Sequence, residues 1–256
     1  MAQILAITNQ KGGVGKTTTT VNLAASLAAM KRKVLMIDLD PQGNATMGSG
    51  VDKHAVDLSI YDVLVGNASV VESTQYSETG GFDLLPSNSD LTAAEVELLN
   101  ISGREYRLRT ALKLVSEKYD YVLIDCPPSL NMLTVNALSA ADGVIIPMQC
   151  EYYALEGLSA LMATVNRVAE VLNEKIEIVG LLRTMYDGRN SLSVDVSRQL
   201  AEHFGKKLYN TVIPRNVRLA ETPSYGMPAL LYDKGSKGAV AYLALAGEIL
   251  RKQKKK

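Results

Sequence analysis

The sequence predicts a doubly wound α/β fold, in which helices cover both faces of a mainly parallel β-sheet. Two observations lead to this prediction. Short apolar runs rich in Val, Ile and Leu recur along the 256 residues with little polar/apolar alternation, which is typical of strands buried on both faces. Stretches with helical spacing separate these runs, so strands and helices alternate over the whole length.

The elements follow one another in a regular order. The predicted strands are the apolar runs QILAIT, KVLMID, FDLLP, YVLIDC, GVIIP, IEIVGLLRT and LYNTVIP. The predicted helices span Lys16 to Met30, Arg104 to Lys118, Tyr152 to Leu172, Leu192 to Phe204 and Gly238 to Lys252. No Pro/Gly/Ser-rich linker divides the chain, so we expect residues 1–256 to form a single domain. Ligands of such folds bind at the carboxyl ends of the strands.

Composition restricts the class of protein. Two cysteines, Cys126 and Cys150, are too few for a disulfide framework and lack metal-ligand spacing. The N-terminus begins as a strand and not as a charged, then apolar leader, and no apolar run approaches the ~18 residues of a membrane span. We therefore expect a soluble protein of the reducing cytoplasm that does not bind membrane.

Charge is distributed unevenly, although the formal net charge is +0. Residues 1–128 carry 11 Lys/Arg and 15 Asp/Glu, whereas residues 129–256 carry 16 and 12. From His203 to Lys256 the numbers are 11 and 3. A polyanion, if one binds, should therefore meet the C-terminal third of the chain.

The stretch NQKGGVGKTTTT, residues 9–20, joins the first predicted strand to the first predicted helix and is a variant phosphate-binding loop. The position six residues before the loop lysine, usually glycine, is Gln10, and a second lysine, Lys11, precedes the glycines. The glycines let backbone N–H groups point at phosphates, and the helix N-terminus adds its positive end. The residues predicted to bind nucleotide are Lys11, Gly12, Gly13, Val14, Gly15, Lys16, Thr17 and Thr18.

Within this loop, two side chains have distinct predicted roles. Lys16 would neutralise phosphate oxygens, and the hydroxyl of Thr17 would ligate Mg²⁺. A glycine-rich turn without a ligand is the alternative, but the loop follows a strand and opens a helix, which is the context that the motif requires. The sequence therefore predicts a site for a nucleotide with Mg²⁺.

Acidic residues end two further predicted strands. Asp38 and Asp40 close KVLMIDLD, and a carboxylate there can orient or polarise the water that attacks a γ-phosphate. Both lie on the same side of an extended strand, so Asp38 would support the loop from behind, unless these are solvated strand-end acids. Asp125 ends the strand in YDYVLIDCPPSL, where a carboxylate holds Mg²⁺, commonly through a water.

Together these residues resemble the deviant Walker-A ATPases, and within them the ParA/Soj group of DNA-partition ATPases. The resemblance rests on five motifs in the same order, which cover essentially the whole chain: KGGVGKTT, DLDPQGNAT, VLIDCPPSL, CEYYALEGL and TVIPRNVRLAETPSYGMP. It implies a P-loop ATPase that uses ATP and Mg²⁺, hydrolyses ATP to ADP and phosphate, and forms a nucleotide-sandwich homodimer on binding ATP.

The resemblance also implies roles for individual residues. Lys11 matches the signature lysine that reaches across the dimer to the partner subunit's ATP, while Lys16 serves the subunit's own nucleotide. Gly12 would face the partner, so bulk there should block dimerisation without preventing ATP binding. Asp40 matches the catalytic residue that positions the hydrolytic water. The Mg²⁺ ligand, the Walker-B acid and the segment bordering the adenine match Thr17, Asp125 and Pro214, Arg215 and Asn216.

The function implied is ATP-gated, sequence-independent binding of double-stranded DNA. The dimer would remain on the nucleoid until a ParB/Spo0J-like centromere-binding partner stimulates hydrolysis. Arg189 and Arg218 match the residues that contact DNA in Soj-type proteins, and both lie in the more basic half. Two other interpretations stay open: Arg189 as a solvated loop charge, and Arg218 as an ion-pair partner of Glu221 at i+3. Phosphate contacts give affinity without sequence readout and make binding depend on salt.

One family feature is missing from the sequence. Some plasmid ParA proteins carry an N-terminal helix-turn-helix extension that binds an operator, whereas the first strand here begins at about residue 3. We therefore expect no operator-specific binding, and the short, Soj-like form is the closer match.

A MinD-like ATPase is the nearest competing class, since it binds membrane through a C-terminal amphipathic helix. The apolar stripe of the last predicted helix is formed by Val240, Leu243, Leu245, Ala246, Ile249 and Leu250. Such a stripe is typical of a helix packed on its own sheet, and only RKQKKK follows it, without the bulky apolar residues that lipid binding requires. We expect the tail to be a solvated run of charge or a weak aid to DNA binding.

Three other relatives of the family are further alternatives, and the residues argue against the first two. A relative of the nitrogenase iron protein would need cysteines placed to bridge two subunits around a cluster, and the two cysteines here do not match. A bacterial tyrosine kinase would end in tyrosines, whereas this chain ends in lysines. A ParA-like ATPase that positions a protein cargo on the nucleoid shares the same motifs, so the cargo stays open.

Overall fold

A computed structural model describes residues 1–152 and 154–253 and contains one eight-stranded sheet. The strands are β1 Gln3–Ile7, β2 Val34–Asp38, β3 Gln75–Ser77, β4 Phe82–Leu85, β5 Tyr121–Asp125, β6 Gly143–Gln149, β7 Glu177–Tyr186 and β8 Leu208–Pro214. Their order across the sheet is β3-β4-β2-β5-β1-β6-β7-β8, and every neighbouring pair is parallel except β3 with β4. The predicted doubly wound, mainly parallel sheet is confirmed.

Helices cover both faces of this sheet. They are α1 Lys16–Ala29, α2 Asn44–Gly48, α3 Ile60–Val65, α4 Val70–Ser73, α5 Leu91–Glu97, α6 Arg107–Lys113, α7 Met132–Ala140, α8 Ala154–Val171, α9 Ser191–Phe204, α10 Val217–Glu221, α11 Ala229–Tyr232 and α12 Lys237–Gln253. Short 3₁₀ segments occur at Lys53–Ala55, Leu98–Asn100, Arg104–Tyr106, Gly205–Lys207 and Thr222–Tyr225. The predicted boundaries of the long helices α1, α8, α9 and α12 are correct to within about two residues, the usual uncertainty of helix ends.

The helix predicted from Arg104 to Lys118 is wrong in extent. A 3₁₀ turn at Arg104–Tyr106 precedes α6, which ends at Lys113. Beyond α6 the backbone tightens into i→i−3 hydrogen bonds, among them Val115 N to Leu112 O and Lys118 N to Val115 O. These turns bury Val115 and bring the chain to the start of β5.

Edge strand β3 and helix α7 were not predicted, for opposite reasons. β3 is three residues long and exposes Gln75 and Tyr76, so it carries no apolar run. In α7 nearly every residue is buried, so it lacks the one-sided pattern that reveals a helix.

Strand register places three strand ends side by side. Asp38 of β2 pairs with Asp125 of β5, which pairs in turn with Ile7 of β1. The loops that leave β1, β2 and β5 therefore start at one level of the sheet edge. Each face of the sheet carries its own apolar cluster, and α1 and α12 cover the face that includes Leu5 and Leu123.

Helix α12 packs on the sheet much as its sequence predicted. Its buried side chains include Tyr242, Leu245 and Ile249, and the hydroxyl groups of Tyr242 and Thr19 lie 3.1 Å apart. Val240, which the predicted stripe included, is instead 54% exposed. The three lysines of residues 254–256 lie outside the described residues. In residues 1–152 and 154–253, none of the helices has the length and apolarity needed to cross a membrane.

Candidate nucleotide-binding site

The loop between β1 and α1 has the backbone shape that its glycines allow. Gly13 and Gly15 have φ angles of 71° and 85°, in the left-handed region that disfavours side chains. A Cβ atom built on Gly12 would have no neighbour within 4 Å, so the loop surface is open there. Gly15 is the N-cap of α1, and no side chain caps the helix.

Three side chains hold the backbone of the loop in place through hydrogen bonds, and two of them come from neighbouring strands. Asn9 accepts a hydrogen bond from the N–H of Lys11 at 3.0 Å and donates to the carbonyl of Pro147 at 2.8 Å. Gln149, at the end of β6, donates to the carbonyl of Gly13 at 3.1 Å. Thr184, in β7, donates to the carbonyl of Val14 at 2.8 Å. None of these three supporting side chains was predicted from the sequence.

The opposite side of the loop presents free donors. Within the described part of the chain, no hydrogen bond uses the backbone N–H groups of residues 13–18. These N–H groups lie at the N-terminus of α1, where unsatisfied N–H groups and the helix dipole both favour an anion. The geometry fits phosphate oxygens, as the sequence predicted for this loop.

Lys16 lies inside the site and is only 7% exposed. Its ammonium donates to the carbonyl of Lys11 at 3.2 Å and forms no ion pair with a described residue. Burial lowers the pKa of Lys16, and the nearby carboxyl groups of Asp125 and Asp40 oppose that shift. A phosphate in the loop would supply the missing counter-charge.

Asp125 is fully buried at the end of β5. Its two carboxylate oxygens accept hydrogen bonds from the hydroxyl of Thr17 at 2.7 Å and that of Thr20 at 2.9 Å. Burial raises the pKa of Asp125 to about 8, and the neighbouring Asp38 adds to the shift. Burial and the mutual repulsion of these two carboxyl groups disfavour their charged forms, and a positive ion bound beside them would favour ionisation.

Thr17 and Asp125 have the donor chemistry that Mg²⁺ prefers, namely hydroxyl and carboxylate oxygens. No group of three or more His, Cys, Asp or Glu side chains in residues 1–152 and 154–253 could hold a metal ion alone. The remaining Mg²⁺ ligands would therefore be phosphate oxygens and water, as is usual in nucleotide sites. The residues present fit a nucleotide-bound ion.

Asp38 supports the segment that carries Asp40. It is fully buried and accepts hydrogen bonds from the N–H and hydroxyl of Thr46 at 2.7 and 2.8 Å and from the N–H of Asp40 at 3.2 Å. Burial raises the pKa of Asp38 to about 6. Asp38 is therefore not a solvated strand-end acid. Of its two sequence interpretations, the supporting role is correct.

Asp40 lies beyond the end of β2 and is partly exposed. One carboxylate oxygen accepts from the N–H of Gln42 at 3.0 Å, and its carbonyl accepts from the hydroxyl of Ser87 at 2.8 Å. These bonds hold the backbone, whereas the second carboxylate oxygen accepts no hydrogen bond from a described residue. That oxygen is available to a water molecule.

Lys11 lies outside the phosphate site. Its ammonium forms an ion pair with Glu151 at 2.6 Å, and both side chains are 48% exposed. The two lysines of the loop therefore occupy different environments, one inside the loop and one on its outer side. Glu151 lies in the quoted motif CEYYALEGL but was not identified as a partner of Lys11.

The segment predicted to border adenine lies at the end of β8. Arg215 donates its N–H to the carbonyl of Tyr186 at 3.4 Å, and Asn216 caps α10 by accepting from the N–H of Leu219 at 3.2 Å. A cleft of about 380 Å³ begins beside α1, but its walls do not include Pro214, Arg215 or Asn216. The walls are Thr17, Thr18, Val21, Asn22, Asn44, Met47, Gly48, Thr222, Pro223, Ser224 and Met227.

Arg189 is held in an ion pair away from the loop. It forms a two-pronged contact with Asp187 at 2.9 and 2.8 Å, and these hydrogen bonds lower the pKa of Asp187 to about 2. The Arg189 side chain is 91% exposed. This is an exposed loop charge, as the alternative interpretation expected, but it is also accessible to a ligand.

Arg218 also pairs with acids. It contacts Glu221 at 3.0 Å and Asp233 at 3.4 Å, so the i+3 pairing predicted as an alternative is present. Half of the Arg218 side chain is exposed. Among the described residues, the hydrogen bonds and ion pairs of the two arginine side chains are with acids and not with the phosphate loop.

Comparisons with known proteins agree with this geometry. Residues 2–178 match the family described as AAA domain. The chain is 52% identical to the chromosome partitioning protein ParA of Caulobacter vibrioides, over 98% of this chain and 95% of that protein. It is also 52% identical to the sporulation initiation inhibitor protein Soj of Bacillus subtilis, over 97% and 98% of the two chains.

A solved structure extends the likeness to three dimensions. The cobyrinic acid a,c-diamide synthase of Mycobacterium smegmatis, with bound ATP analog and magnesium, has a TM-score of 0.87 and 38% identity, covering 99% of this chain and 96% of that one. The fold, the loop with its two lysines and relatives of this identity along nearly the full length lead to one conclusion. The chain belongs to the ParA/Soj family of chromosome-partitioning ATPases.

Proposed function

We propose that this protein is an ATP-dependent DNA-partition ATPase. ATP binding drives a sandwich homodimer that binds double-stranded DNA of the nucleoid without sequence preference. Hydrolysis, stimulated by a ParB/Spo0J-like partner, releases the dimer. The observation that carries the proposal is the separation of the two lysines: Lys16 is 7% exposed inside the loop, whereas Lys11 is half-exposed on its outer side. A cation on the outer side is available to a second subunit.

The nucleotide would be held by groups that the fold already positions. The free N–H groups of residues 13–18 and the ammonium of Lys16 bind phosphate oxygens, and the oxygens of Thr17 and Asp125 hold the Mg²⁺. Bound Mg²⁺ neutralises charge that develops on the phosphates. The protein also supplies orientation: the free carboxylate oxygen of Asp40 positions the attacking water, because Asp38 fixes the backbone behind it.

The DNA surface is supported by charge and by exposure. Arg189 and Arg218 are accessible, and a guanidinium can exchange a carboxylate for a phosphate with the same two-pronged geometry. Exposed ion pairs contribute only about 0–1 kcal/mol, so giving up Asp187 or Glu221 costs little. These contacts would give affinity without reading sequence.

Membrane binding of the MinD kind has less support. The apolar side of α12 is already covered, since Tyr242, Leu245 and Ile249 are buried against the sheet. A helix that inserts into lipid needs a free apolar face. Along the described residues of α12, the large apolar side chain that is exposed is Val240.

Catalysis by a nucleophilic cysteine also lacks support. Cys126 and Cys150 are both buried, and burial raises their pKa values, that of Cys150 to about 11. A thiol of that kind is a weak nucleophile.

Co-sedimentation tests the proposal directly. The purified protein is mixed separately with random-sequence duplex DNA and with anionic liposomes, each with ATP or ADP and Mg²⁺. We expect retention on DNA with ATP only, weakening steeply as salt rises. Lys16→Ala serves as the nucleotide-free control. Retention on liposomes alone, or on DNA regardless of nucleotide, would overturn the proposal.

A further inference from the structure

Strand β7 contains a strained residue beside the phosphate loop. Met185 has a φ angle of 48°, in the left-handed region that non-glycine residues avoid. The register of β7 with β8 runs from Arg183 with Val212 to Tyr186 with Pro214, so β7 has one more residue than its partner over this interval. Met185 therefore lies in a β-bulge, a feature that redirects a strand and is common near functional sites.

Two side chains link this bulge to the phosphate loop. Gln149 donates one amide group to both the carbonyl of Gly13 at 3.1 Å and the sulfur of Met185 at 2.8 Å. Thr184, the residue before Met185, donates to the carbonyl of Val14 at 2.8 Å. The methyl group of Met185 lies 4.0 Å from the position that a Cβ of Gly15 would occupy. A shift of the loop on phosphate binding therefore reaches Met185 through Gln149 and Thr184.

The chain that leaves the bulge enters the turn of Arg189. Tyr186 accepts a hydrogen bond from the N–H of Arg215 at 3.4 Å, and Asp187 then holds Arg189 through its side chain and its backbone N–H. Asn190 caps α9 by accepting from the N–H of Leu192 at 3.0 Å. Three residues, Tyr186, Asp187 and Gly188, thus lie between the strained φ angle and the proposed DNA contact.

We propose that Met185 is a positioning residue, a hinge through which nucleotide in the loop sets the orientation of the Arg189 turn. The inference rests on the proposed function. A strained residue of positive φ has a lower-energy extended conformation at negative φ. Passage between these two conformations changes the direction of the chain that follows. Contacts that change in the loop bias this choice, because a ligand shifts an equilibrium only when it distinguishes the two states. Nucleotide and DNA sites in one subunit are coupled in this way.

Two substitutions at one position separate backbone strain from side-chain contact. Met185→Ala removes the thioether and keeps the cost of a positive φ, whereas Met185→Gly removes both. We expect the Gly variant to melt about 2–4 °C above the Ala variant, as relief of strain requires. Lys31→Gly is the matched control, because Lys31, in the turn after α1, is the other non-glycine residue of positive φ in residues 1–152 and 154–253, with a φ of 61°.

The readout is the ratio of DNA affinities with ATP and with ADP. In Met185→Gly we expect this ratio to fall by about fivefold or more, with ATP affinity within about twofold of the wild type. Met185→Ala keeps the positive φ and the contact of Thr184 with the loop but loses the sulfur contact, so its ratio should fall by less than that of Met185→Gly. Lys31→Gly should keep the ratio. An unchanged ratio in Met185→Gly would overturn the hinge.

A second measurement needs no DNA. Amide hydrogen exchange of residues 186–190 should change when a slowly hydrolysed ATP analog and Mg²⁺ bind the wild type, and should not change in Met185→Gly. If exchange in the wild type is insensitive to nucleotide, the hinge is wrong whatever the DNA result. If exchange responds but the wild type never retains DNA, the proposed function fails while the coupling stands.

Discussion

The nucleotide site and the basic C-terminal surface are built in opposite ways. At the ends of β1, β2 and β5 the polar side chains are buried and fixed: Asp38 and Asp125 are fully buried and Lys16 nearly so. On the surface, Arg189 and Arg218 are exposed and held by neighbouring acids. Removing one group from the buried site leaves others unsatisfied, whereas a surface charge can be replaced at little cost to the fold. Under the proposed function, the buried region performs chemistry that depends on orientation, and the exposed arginines provide reversible attraction.

Lys16→Ala tests the buried nucleotide site, and we expect it to have the largest effect of the substitutions. The ammonium is the one cation inside the loop among the described residues, so its loss should weaken ATP binding by about 100-fold or more. Isothermal titration with ATP and Mg²⁺ measures this. Lys33→Ala, an exposed lysine at the start of β2, should bind normally. Equal affinity in both variants would show that the loop does not hold phosphate.

Asp40→Ala separates binding from hydrolysis within the same site. The carboxylate lies past the buried layer with one oxygen free, so the variant should bind ATP normally while turnover falls by about 10²–10⁴-fold. Without turnover, the ATP dimer should remain on DNA. Phosphate release and DNA co-sedimentation measure the two effects. Hydrolysis at the wild-type rate would remove Asp40 from its assigned role.

Arg189→Glu tests the surface side. A glutamate beside Asp187 replaces an attraction for phosphate by repulsion, so retardation of random duplex should be lost at moderate salt while the ATP-induced dimer forms normally. Arg167→Glu is the matched control, because Arg167 also pairs with an acid, Glu170, on an exposed helix. If both variants lose DNA retardation equally, the overall charge of the protein and not the Arg189 turn determines DNA binding.

Asp125→Asn tests how the buried site affects the pH dependence of folding stability. Burial raises the pKa of Asp125 to about 8, so the folded protein without nucleotide holds a proton that the unfolded chain releases near pH 4. Stability of the wild type should therefore fall as pH rises from about 4 to 8.

The Asn variant should lose much of this dependence. At pH 8 it should be more stable than the wild type by at least about 1 kcal/mol, or about 2–4 °C in melting temperature, although it no longer supports Mg²⁺-dependent hydrolysis. Thermal melts across pH measure the effect. Asp57→Asn, a substitution at an exposed acid, should leave the pH profile unchanged.

Sequence and structure agree best where local pattern determines position. Loop residues such as Lys16, and acids such as Asp125, could be predicted because each follows an apolar strand and parallel strand ends share one edge. The side chains that support the loop could not be predicted in this way. Gln149 and Thr184 act on residues 136 and 170 positions earlier, and only the order β1-β6-β7 brings them there. Strand order is a property of the whole sheet and leaves no local signal.

Glu151→Gln tests the outer side of the phosphate loop, and its expected effect is the smallest. Lys11 must leave Glu151 before it can reach a second subunit, and an ion pair at this exposure contributes about 0.2–1 kcal/mol. Removing the pair should lower the ATP concentration needed for half-maximal dimerisation by about 1.5- to 5-fold. Light scattering during an ATP titration measures this, and Glu156→Gln, at an exposed position in the first turn of α8, is the control. A higher ATP requirement would mean that Glu151 supports the dimer, so that the ion pair seen in one subunit belongs to the assembled interface.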